Sequence, residues 1–313
     1  MRLSRFVCLL MALCALTPLG AKLEDYLKIA EEKGECHSMP GVDFIYTINL
    51  DDRPEKWEMT RQELAPYNIH PYRFSAVNGW EIPIETLSKI GVRFKKGMRK
   101  GIQGTQYRLE DGGEPRHSII NKKGETYVSR CLSRGAIGII LSHLSIIYDA
   151  LQSGYKTIWV MEDDIRVIRN PHEITEKIRQ LDKKYGKHGW DILFTDRDTI
   201  NKDGEYVPCK SGAKRPNFTP RDKRVFRVKK DIGGGLRQVG ARYGAYSMII
   251  KRSGMQKIFH FLKKYKIFLP YDMDFIFPEG IKMFTVTDDI VSTRPDALSD
   301  NGVPNYRKKS GAM

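Results

Sequence analysis

The feature that most constrains this chain is a strand-like apolar run that ends in three consecutive acids. Thr157 to Met161 is uncharged and mostly apolar, and Glu162, Asp163 and Asp164 follow it directly. Such a run is typical of a central strand in a parallel sheet, which is covered on both faces. Ligands bind at the carboxyl edge of open α/β sheets, so the acids are predicted to lie at a binding edge.

Other segments predict the same class of fold. The chain opens with a strand, a helix started by Pro54 and a second short strand, and this β-α-β order favours a parallel sheet. We therefore predict an α/β fold with a mostly parallel central sheet flanked by helices. The predicted strands are Val42 to Leu50, Tyr72 to Phe74, Thr157 to Met161, Trp190 to Thr195, Gly244 to Lys251 and Met283 to Val286. The predicted helices are Lys22 to Lys33, Asp51 to Leu64, Gly135 to Leu151, His172 to Lys184 and Ser253 to Tyr265.

The N-terminus has the pattern of a secretory signal. Arg2 and Arg5 precede an apolar run from Phe6 to Leu16, and a helix breaker and small residues follow. The predicted organisation is a signal peptide at 1–21, a polar extension at 22–41, one α/β domain at 42–300 with a loop-rich insertion at about 80–134, and a polar tail at 301–313. The protein would then be secreted, periplasmic or in the lumen of a secretory compartment. An uncleaved signal would instead anchor it in a membrane.

The charge balance favours anionic partners. The 313 residues include 53 Lys and Arg against 38 Asp and Glu, a formal net charge of +15. This suits nucleotide phosphates, anionic glycans or an anionic membrane surface, although a solvated surface without a partner would have the same composition. The basic residues are not interleaved with aromatic residues for base stacking, so no nucleic acid partner is expected.

The acid triplet predicts a metal site. Adjacent carboxylates repel one another and are easier to hold together when a cation neutralises them. Mg²⁺ and Mn²⁺ take oxygen ligands and commonly keep bonds to substrate phosphates, so one or two carboxylates plus a diphosphate would suffice. The same acids also suit the first turn of a helix, and the triplet alone does not decide between the two.

Four blocks of sequence stand in order along the chain. They are Ile45 to Pro54 with Arg73 to Gly79, Ser133 to Gly138 with Leu141 to Leu144, Val160 to Ile165, and Pro270 to Asp274 with Ser299 and Asp300. Together these blocks resemble glycosyltransferase family 25, the lipopolysaccharide and procollagen-type galactosyltransferase family. The resemblance covers most of residues 42–300 and implies a GT-A-like nucleotide-sugar transferase fold and transfer with inversion at the sugar carbon.

The resemblance also implies roles for particular residues. Asp163 and Asp164 would hold Mn²⁺ or Mg²⁺, and Glu162 would line the same site. The edge of the first strand would face the nucleotide-sugar donor, expected to be a UDP-hexose; its residues are Asn49, Leu50 and Arg53. Arg53 has an alternative role in a salt bridge at the helix start.

Two further groups of residues are candidates for the site. An inverting transfer needs a base for the acceptor hydroxyl, and Asp272 is the first candidate and Asp274 the second. Both could equally be loop acids that cap the next segment. His143 lies on the apolar face of a helix and suits the core better than catalysis, and with Ser142 it would support the nucleotide pocket from behind.

The predicted function is therefore transfer of a hexose, galactose or glucose, to a glycan, glycolipid or protein hydroxyl. Two other classes stay open. One is an exported basic binding protein with a degenerate transferase fold. The other is a metal-dependent phosphoryl transferase or hydrolase, although the chain has no Walker-type glycine loop.

Overall fold

The structure is a computed structural model, and it describes residues 22–197, 213–294, 297 and 300. The predicted signal peptide and the predicted polar tail lie outside these residues. The described strands are β1 (Phe44–Asn49), β2 (Tyr72–Ser75), β3 (Val92–Arg93), β4 (Gln103–Tyr107), β5 (Pro115–Ile119), β6 (Thr126–Ser129), β7 (Thr157–Glu162), β8 (Ile165–Val167), β9 (Ile192–Phe194), β10 (Lys229–Gly233), β11 (Leu236–Val239), β12 (Ser247–Lys251), β13 (Met283–Val286) and β14 (Val291–Thr293). The described α-helices are α1 (Pro54–Leu64), α2 (Ile84–Ile90), α3 (Arg134–Gln152), α4 (Glu173–Tyr185), α5 (Arg252–Tyr265) and α6 (Tyr271–Asp274).

A central sheet of eight described strands organises the molecule, in the order β10-β11-β13-β9-β12-β7-β1-β2. β1 runs parallel to both β2 and β7, and β13 runs parallel to β9. β12 is antiparallel to β7 and β9, and the β10–β11 hairpin adds further antiparallel pairs. The predicted parallel arrangement therefore holds for β7 and β1, on one side of the acid triplet, whereas β12 on the other side of β7 is antiparallel and the described sheet is mixed as a whole.

Alternate residues of the central strands enter two different cores. In β7, Ile158 and Val160 pack with the apolar residues of α3 and α5, while Trp159 and Met161 pack with those of α1 and α4. Both faces of the strand are therefore covered by helices, which explains its uninterrupted apolar sequence. By length and composition α3 could cross a membrane, but 72% of its apolar window is buried inside the fold, as in a core helix.

The predicted helix from Lys22 to Lys33 is wrong. The segment forms a single 3₁₀ turn at Leu23–Tyr26, and the rest runs across α3 without helical structure. Its backbone donates to α3 side chains: Lys28 N to Ser145 Oγ at 3.0 Å and Ala30 N to Asp149 Oδ1 at 3.1 Å. These bonds replace the ones a helix would make within itself, and they satisfy polar groups buried in α3.

The insertion has more order than the sequence indicated. It contains α2 and a small sheet with the order β3-β6-β4-β5. The short strands agree with the loop-rich interpretation, whereas α2 was not predicted because its seven residues are too short for a clear helical period.

The start of α3 lies against the turn that follows β2, and two glycines permit this approach. A Cβ on Gly138 would lie 2.5 Å from the carbonyl oxygen of Val77, and one on Gly79 would lie 1.9 Å from that of Arg134. Both clashes are with backbone atoms, so no side-chain rearrangement can relieve them. The close contact fixes the position of α3 relative to the carboxyl edge of the sheet.

We expect Gly138→Ala to destabilise the protein, because the new methyl group would push α3 away from this turn. Overpacking of this kind costs about 1–3 kcal/mol, which corresponds to a fall in Tm of roughly 2–10 °C. Thermal unfolding followed by circular dichroism measures it. Gly34→Ala is the matched control, since its Cβ would meet only a His37 side-chain atom at 3.8 Å. Equal Tm values for the two variants would contradict close packing at Gly138.

Candidate active site

The acid triplet lies at the carboxyl edge of the sheet, where β1 and β7 end side by side. The parallel register pairs Ile48 of β1 with Glu162 of β7, so the residues that follow each strand meet at the same edge. Asn49 Nδ2 donates to Asp163 Oδ2 at 2.7 Å and to the Arg53 carbonyl oxygen at 2.9 Å. The two strand ends are therefore joined through the side chain of Asn49.

Asn49 has a different place from the one expected. It is buried, and its Oδ1 accepts from Arg73 Nε at 2.7 Å. Thr60 Oγ1 in α1 donates to the Asp163 carbonyl oxygen at 2.9 Å, so both ends of this acid are held. Asn49 thus orients a carboxylate, and Arg73 and Thr60 support this arrangement.

Glu162 is held by the residues behind it. His143 Nε2 lies 3.2 Å from Glu162 Oε1, and the His143 ring stacks on Tyr271 with centroids 4.2 Å apart. His143 is buried, in agreement with the core role weighed for it. Ser142 is also buried, and its Oγ accepts from Val77 N at 2.8 Å. Both residues therefore support the edge from behind.

Asp164 keeps one carboxylate oxygen without a partner. Its Oδ1 is buried and has no hydrogen-bond partner among the described residues, while its backbone carbonyl oxygen accepts from Arg294 N at 2.9 Å. Burial, together with the charges of Glu162 and Asp163, raises the pKa of Asp164 to about 7. Burial likewise raises the pKa of Asp163 to about 6, against the opposing effects of Lys56 and the Asn49 hydrogen bond.

These carboxylates suit a cation that takes most of its ligands from elsewhere. Among the described residues, no group of three or more His, Cys, Asp or Glu side chains is arranged to hold a metal ion. A complete protein cage for a metal is therefore absent from this part of the chain. An orphaned Asp164 oxygen beside a held Asp163 fits Mg²⁺ or Mn²⁺ in a site where substrate phosphates and waters supply the other ligands.

Two cavities meet at the triplet, since Glu162 and Asp164 line both. The first, which we call the β1-side cavity, is about 100 Å³ and extends past Leu50 to the turn after β2; its other lining residues include Lys56, Trp80, Gly135, Asp163 and Asp300. The second, the α6-side cavity, is about 390 Å³. Its lining residues include Ala136, Tyr246, Tyr271, Asp272 and Arg294.

Arg53 does not line either cavity, and its contacts match the alternative weighed for it. Its Nε lies 3.2 Å from Glu55 and 3.2 Å from Asp300, so it forms an ion pair at the start of α1. Asp300 also pairs with Lys56 Nζ at 2.8 Å. The chain thus returns to the β1-side cavity near its C-terminal end. In the sequence Asp300 belongs to one of the four blocks, and no local pattern singles out Lys56.

The two candidate bases lie in different environments. Asp272 lines the α6-side cavity, and its Oδ2 accepts from Gly244 N at 3.1 Å. Burial raises the pKa of Asp272. Asp274 is buried and forms an ion pair with Arg215 at 2.5 Å. Its position beside Arg215 argues against the role of base, because a buried ion pair of this kind is structural and does not face the cleft.

We expect Asp164→Asn to be more stable than the wild type at pH 8, with no divalent metal present. Folding raises the pKa of Asp164, so the folded state keeps the proton of this acid up to about pH 7. The contribution of Asp164 to the free energy of unfolding is therefore largest near pH 4 and is lost as pH rises through 7. The amide of Asp164→Asn does not ionise, so the variant avoids this loss. Its Tm should exceed that of the wild type by roughly 3–8 °C at pH 8, and the two Tm values should agree near pH 4.

Thermal unfolding at pH 4, 6 and 8 with EDTA present measures this difference. Asp288→Asn is the control, since Asp288 is an exposed acid whose substitution should alter Tm equally at each pH. If Asp164→Asn unfolds or loses stability at pH 8, the carboxylate is a structural group and the metal-site prediction fails.

Comparison with known proteins adds the family. Residues 42–276 match the family described as glycosyltransferase family 25 (LPS biosynthesis protein). A glycosyltransferase 25 family member of Drosophila melanogaster is 28% identical over 58% of this chain and 25% of its own length. An inactive glycosyltransferase 25 family member 3 of Homo sapiens is 25% identical over 53% of this chain and 23% of its own length. Procollagen galactosyltransferase 2 of Homo sapiens is 23% identical over 50% of this chain and 21% of its own length.

The chain thus spans about a quarter of the length of these curated relatives, which include both an inactive member and a galactosyltransferase. The resemblance drawn from the four sequence blocks is confirmed. The match includes both strands of the edge where the triplet lies, and by this match the chain belongs to glycosyltransferase family 25.

Proposed function

We propose that this chain is an inverting glycosyltransferase that moves a hexose, galactose or glucose, from a UDP-linked donor to a hydroxyl of a glycan, glycolipid or protein. The observation that carries the proposal is the junction of two cavities at Glu162 and Asp164. A transfer reaction needs two substrates to meet at one point, and this junction offers a donor side and an acceptor side. The GT-A-like fold belongs to the same proposal.

The donor would lie across the β1-side cavity and the triplet. That cavity alone, at about 100 Å³, is smaller than the roughly 300 Å³ at which small-molecule sites begin. A nucleotide sugar would therefore extend past the triplet into the α6-side cavity, with its diphosphate beside Asp163 and Asp164. Mn²⁺ or Mg²⁺ bound there would neutralise the diphosphate as it leaves.

The residues of the chain would orient the donor and receive the proton. Lys56 and the start of α3 at Gly135 lie in the β1-side cavity, and a cationic side chain and a helix N-terminus both favour phosphate. Asp272 would take the proton of the acceptor hydroxyl in the α6-side cavity. A carboxylate whose pKa is raised by burial is a stronger base than an ordinary one.

We expect UDP-galactose or UDP-glucose to raise the Tm of the wild type only when Mn²⁺ is present. Asp163→Asn and Asp164→Asn should abolish this shift while leaving the fold intact. Asp288→Asn, a change to an exposed acid that lines neither cavity, is the matched control and should keep it. Thermal shift measurements show which UDP-hexose binds. If the Mn²⁺-dependent shift is unchanged in the two triplet variants, the carboxylates do not bind the metal.

Asp272→Asn should separate binding from catalysis. The amide oxygen can still accept from Gly244 N, so the fold and the Mn²⁺-dependent Tm shift should persist, but the proton acceptor is lost. Loss of a general base typically lowers turnover by about 10²–10⁴-fold. Release of UDP with a panel of hydroxyl acceptors measures turnover. Wild-type turnover in this variant would exclude Asp272 as the base. A donor-dependent Tm shift without any turnover in the wild type would instead favour a binding protein.

A further inference from the structure

A third cavity lies beyond α6 and has a different character, and we call it the basic cavity. It is about 210 Å³, and its lining includes four exposed cationic side chains: Arg99, Lys214, Lys223 and Arg227. Phe218, Phe226 and Phe277 form its apolar part, and none of its described lining residues is acidic. Positive charge is therefore concentrated around one cavity.

The four cations have no salt bridge within the part of the chain that the structure describes, although acids are close by along the sequence. Neighbouring basic residues that do not line the cavity are paired: Arg221 with Glu279 at 3.1 Å and Arg224 with Asp222 at 2.9 Å. The local acids therefore neutralise the cations outside the cavity. Those around it are left to repel one another, which favours a bound anion.

The walls of the basic cavity are held in place by the core. Arg215 donates to the Asp274 carboxylate at 2.5 Å and to the Tyr265 carbonyl oxygen at 2.7 Å, which fixes the segment that carries Lys214. Phe218 packs edge-on against Phe261 with centroids 5.0 Å apart. This explains the buried Asp274, which the proposed transfer does not use: it anchors the wall of a second site.

Arg99 comes from the insertion and is fixed to the same wall. Its backbone nitrogen donates to the Pro216 carbonyl oxygen at 2.8 Å. Cations from two distant parts of the chain, residue 99 and residues 214–227, are therefore brought together by backbone contacts and aromatic packing. The backbone that carries these cations is therefore already in place before an anion binds.

We propose that the basic cavity binds a phosphate group carried by the acceptor substrate. Arginine presents a fork of donors that matches phosphate oxygens, and two of the four cations are arginines. The aromatic surface suits the carbon skeleton to which such a phosphate is attached. This assignment of the acceptor as a phosphorylated glycan or glycolipid rests on the proposed transferase function.

The distance between the basic cavity and the cleft suits one extended acceptor. Asp272 lines the α6-side cavity and Phe277, five positions further along the chain, lines the basic cavity. Even a fully extended chain would place their Cα atoms at most about 18 Å apart. A phosphate held in the basic cavity could therefore position an acceptor whose hydroxyl reaches Asp272.

The test uses glucose 6-phosphate as a soluble probe, with glucose as its uncharged counterpart. Binding is measured by calorimetric titration of the full chain. EDTA removes divalent metal, so the metal-dependent donor site does not contribute to the signal. We expect binding of glucose 6-phosphate and none of glucose. Lys223→Ala/Arg227→Ala should weaken binding about tenfold or more, because two charge-assisted contacts are lost. Arg99→Gln, from another part of the chain, should weaken it in the same direction.

The matched control is Arg221→Ala/Arg224→Ala, which removes the same charge from the same segment outside the cavity. It should bind glucose 6-phosphate within about twofold of the wild type, since its cations are already neutralised by Glu279 and Asp222. Equal losses in the two double variants, or no binding by the wild type, would overturn the proposal. All variants are first compared by Tm, and the exposed positions make unfolding a poor explanation for a selective loss.

Vesicles distinguish the acceptor from a membrane lipid as the source of the phosphate. Sedimentation with phosphatidylglycerol vesicles, compared with phosphatidylcholine vesicles, measures lipid binding. Capture by the anionic vesicles without binding of the soluble probe would overturn the acceptor assignment. Binding of glucose 6-phosphate that persists when UDP-hexose transfer fails would leave the basic cavity standing and reject the transferase. UDP-hexose transfer without binding of glucose 6-phosphate would reject the phosphate site in the basic cavity and leave the transferase function standing.

Discussion

The arrangement of the site depends on the parallel pairing of β1 with β7. This pairing places Asn49 beside Asp163, and the 2.7 Å hydrogen bond between them joins two strand ends that are 114 residues apart in the chain. Three adjacent acids would otherwise repel one another in a half-buried position. Hydrogen bonds to the first two acids offset that repulsion. Asn49 and Thr60 donate to Asp163, and His143 contacts Glu162. Within the part of the chain that the structure describes, Asp164 keeps one oxygen without a partner, so the electrostatic cost of the triplet is concentrated on this residue, which is well placed to receive a cation.

Much of this edge could be predicted because its signals are local. A buried strand followed by acids, and a strand followed by a proline-started helix, each specify their own structure within about a dozen residues. The direction of β12 could not be predicted in the same way. Met248, Ile249 and Ile250 are buried on both faces whichever way the strand runs, so the apolar pattern is the same for a parallel and an antiparallel strand. The helix predicted from Lys22 to Lys33 was wrong because the backbone of this segment donates hydrogen bonds to side chains of α3, which no pattern within the segment itself indicates.

Side-chain roles were predictable only where the partner was close in sequence. The salt bridge of Arg53 with Glu55 belongs to the helix start and was weighed as an alternative. The ion pair of Asp274 joins it to Arg215, which is 59 residues away, and no local pattern distinguishes this acid from Asp272. The two acids stand two positions apart in one short helix, yet one lines a cavity and the other is buried in an ion pair. Helical geometry separates them, because residues two apart point to different sides.

The net charge of +15 and the acidic cleft can be understood together. A basic surface attracts anionic substrates over long distances, but at contact the triplet would repel a phosphate unless a cation lies between them. The basic cavity has no such requirement, since its cations face the anion directly. Binding of phosphate at the triplet should therefore require a divalent metal, whereas binding of phosphate in the basic cavity should not. The α6 segment lies between them, with Asp272 on one side and Asp274 anchoring the other, so it is the element through which the proposed acceptor and donor would be aligned.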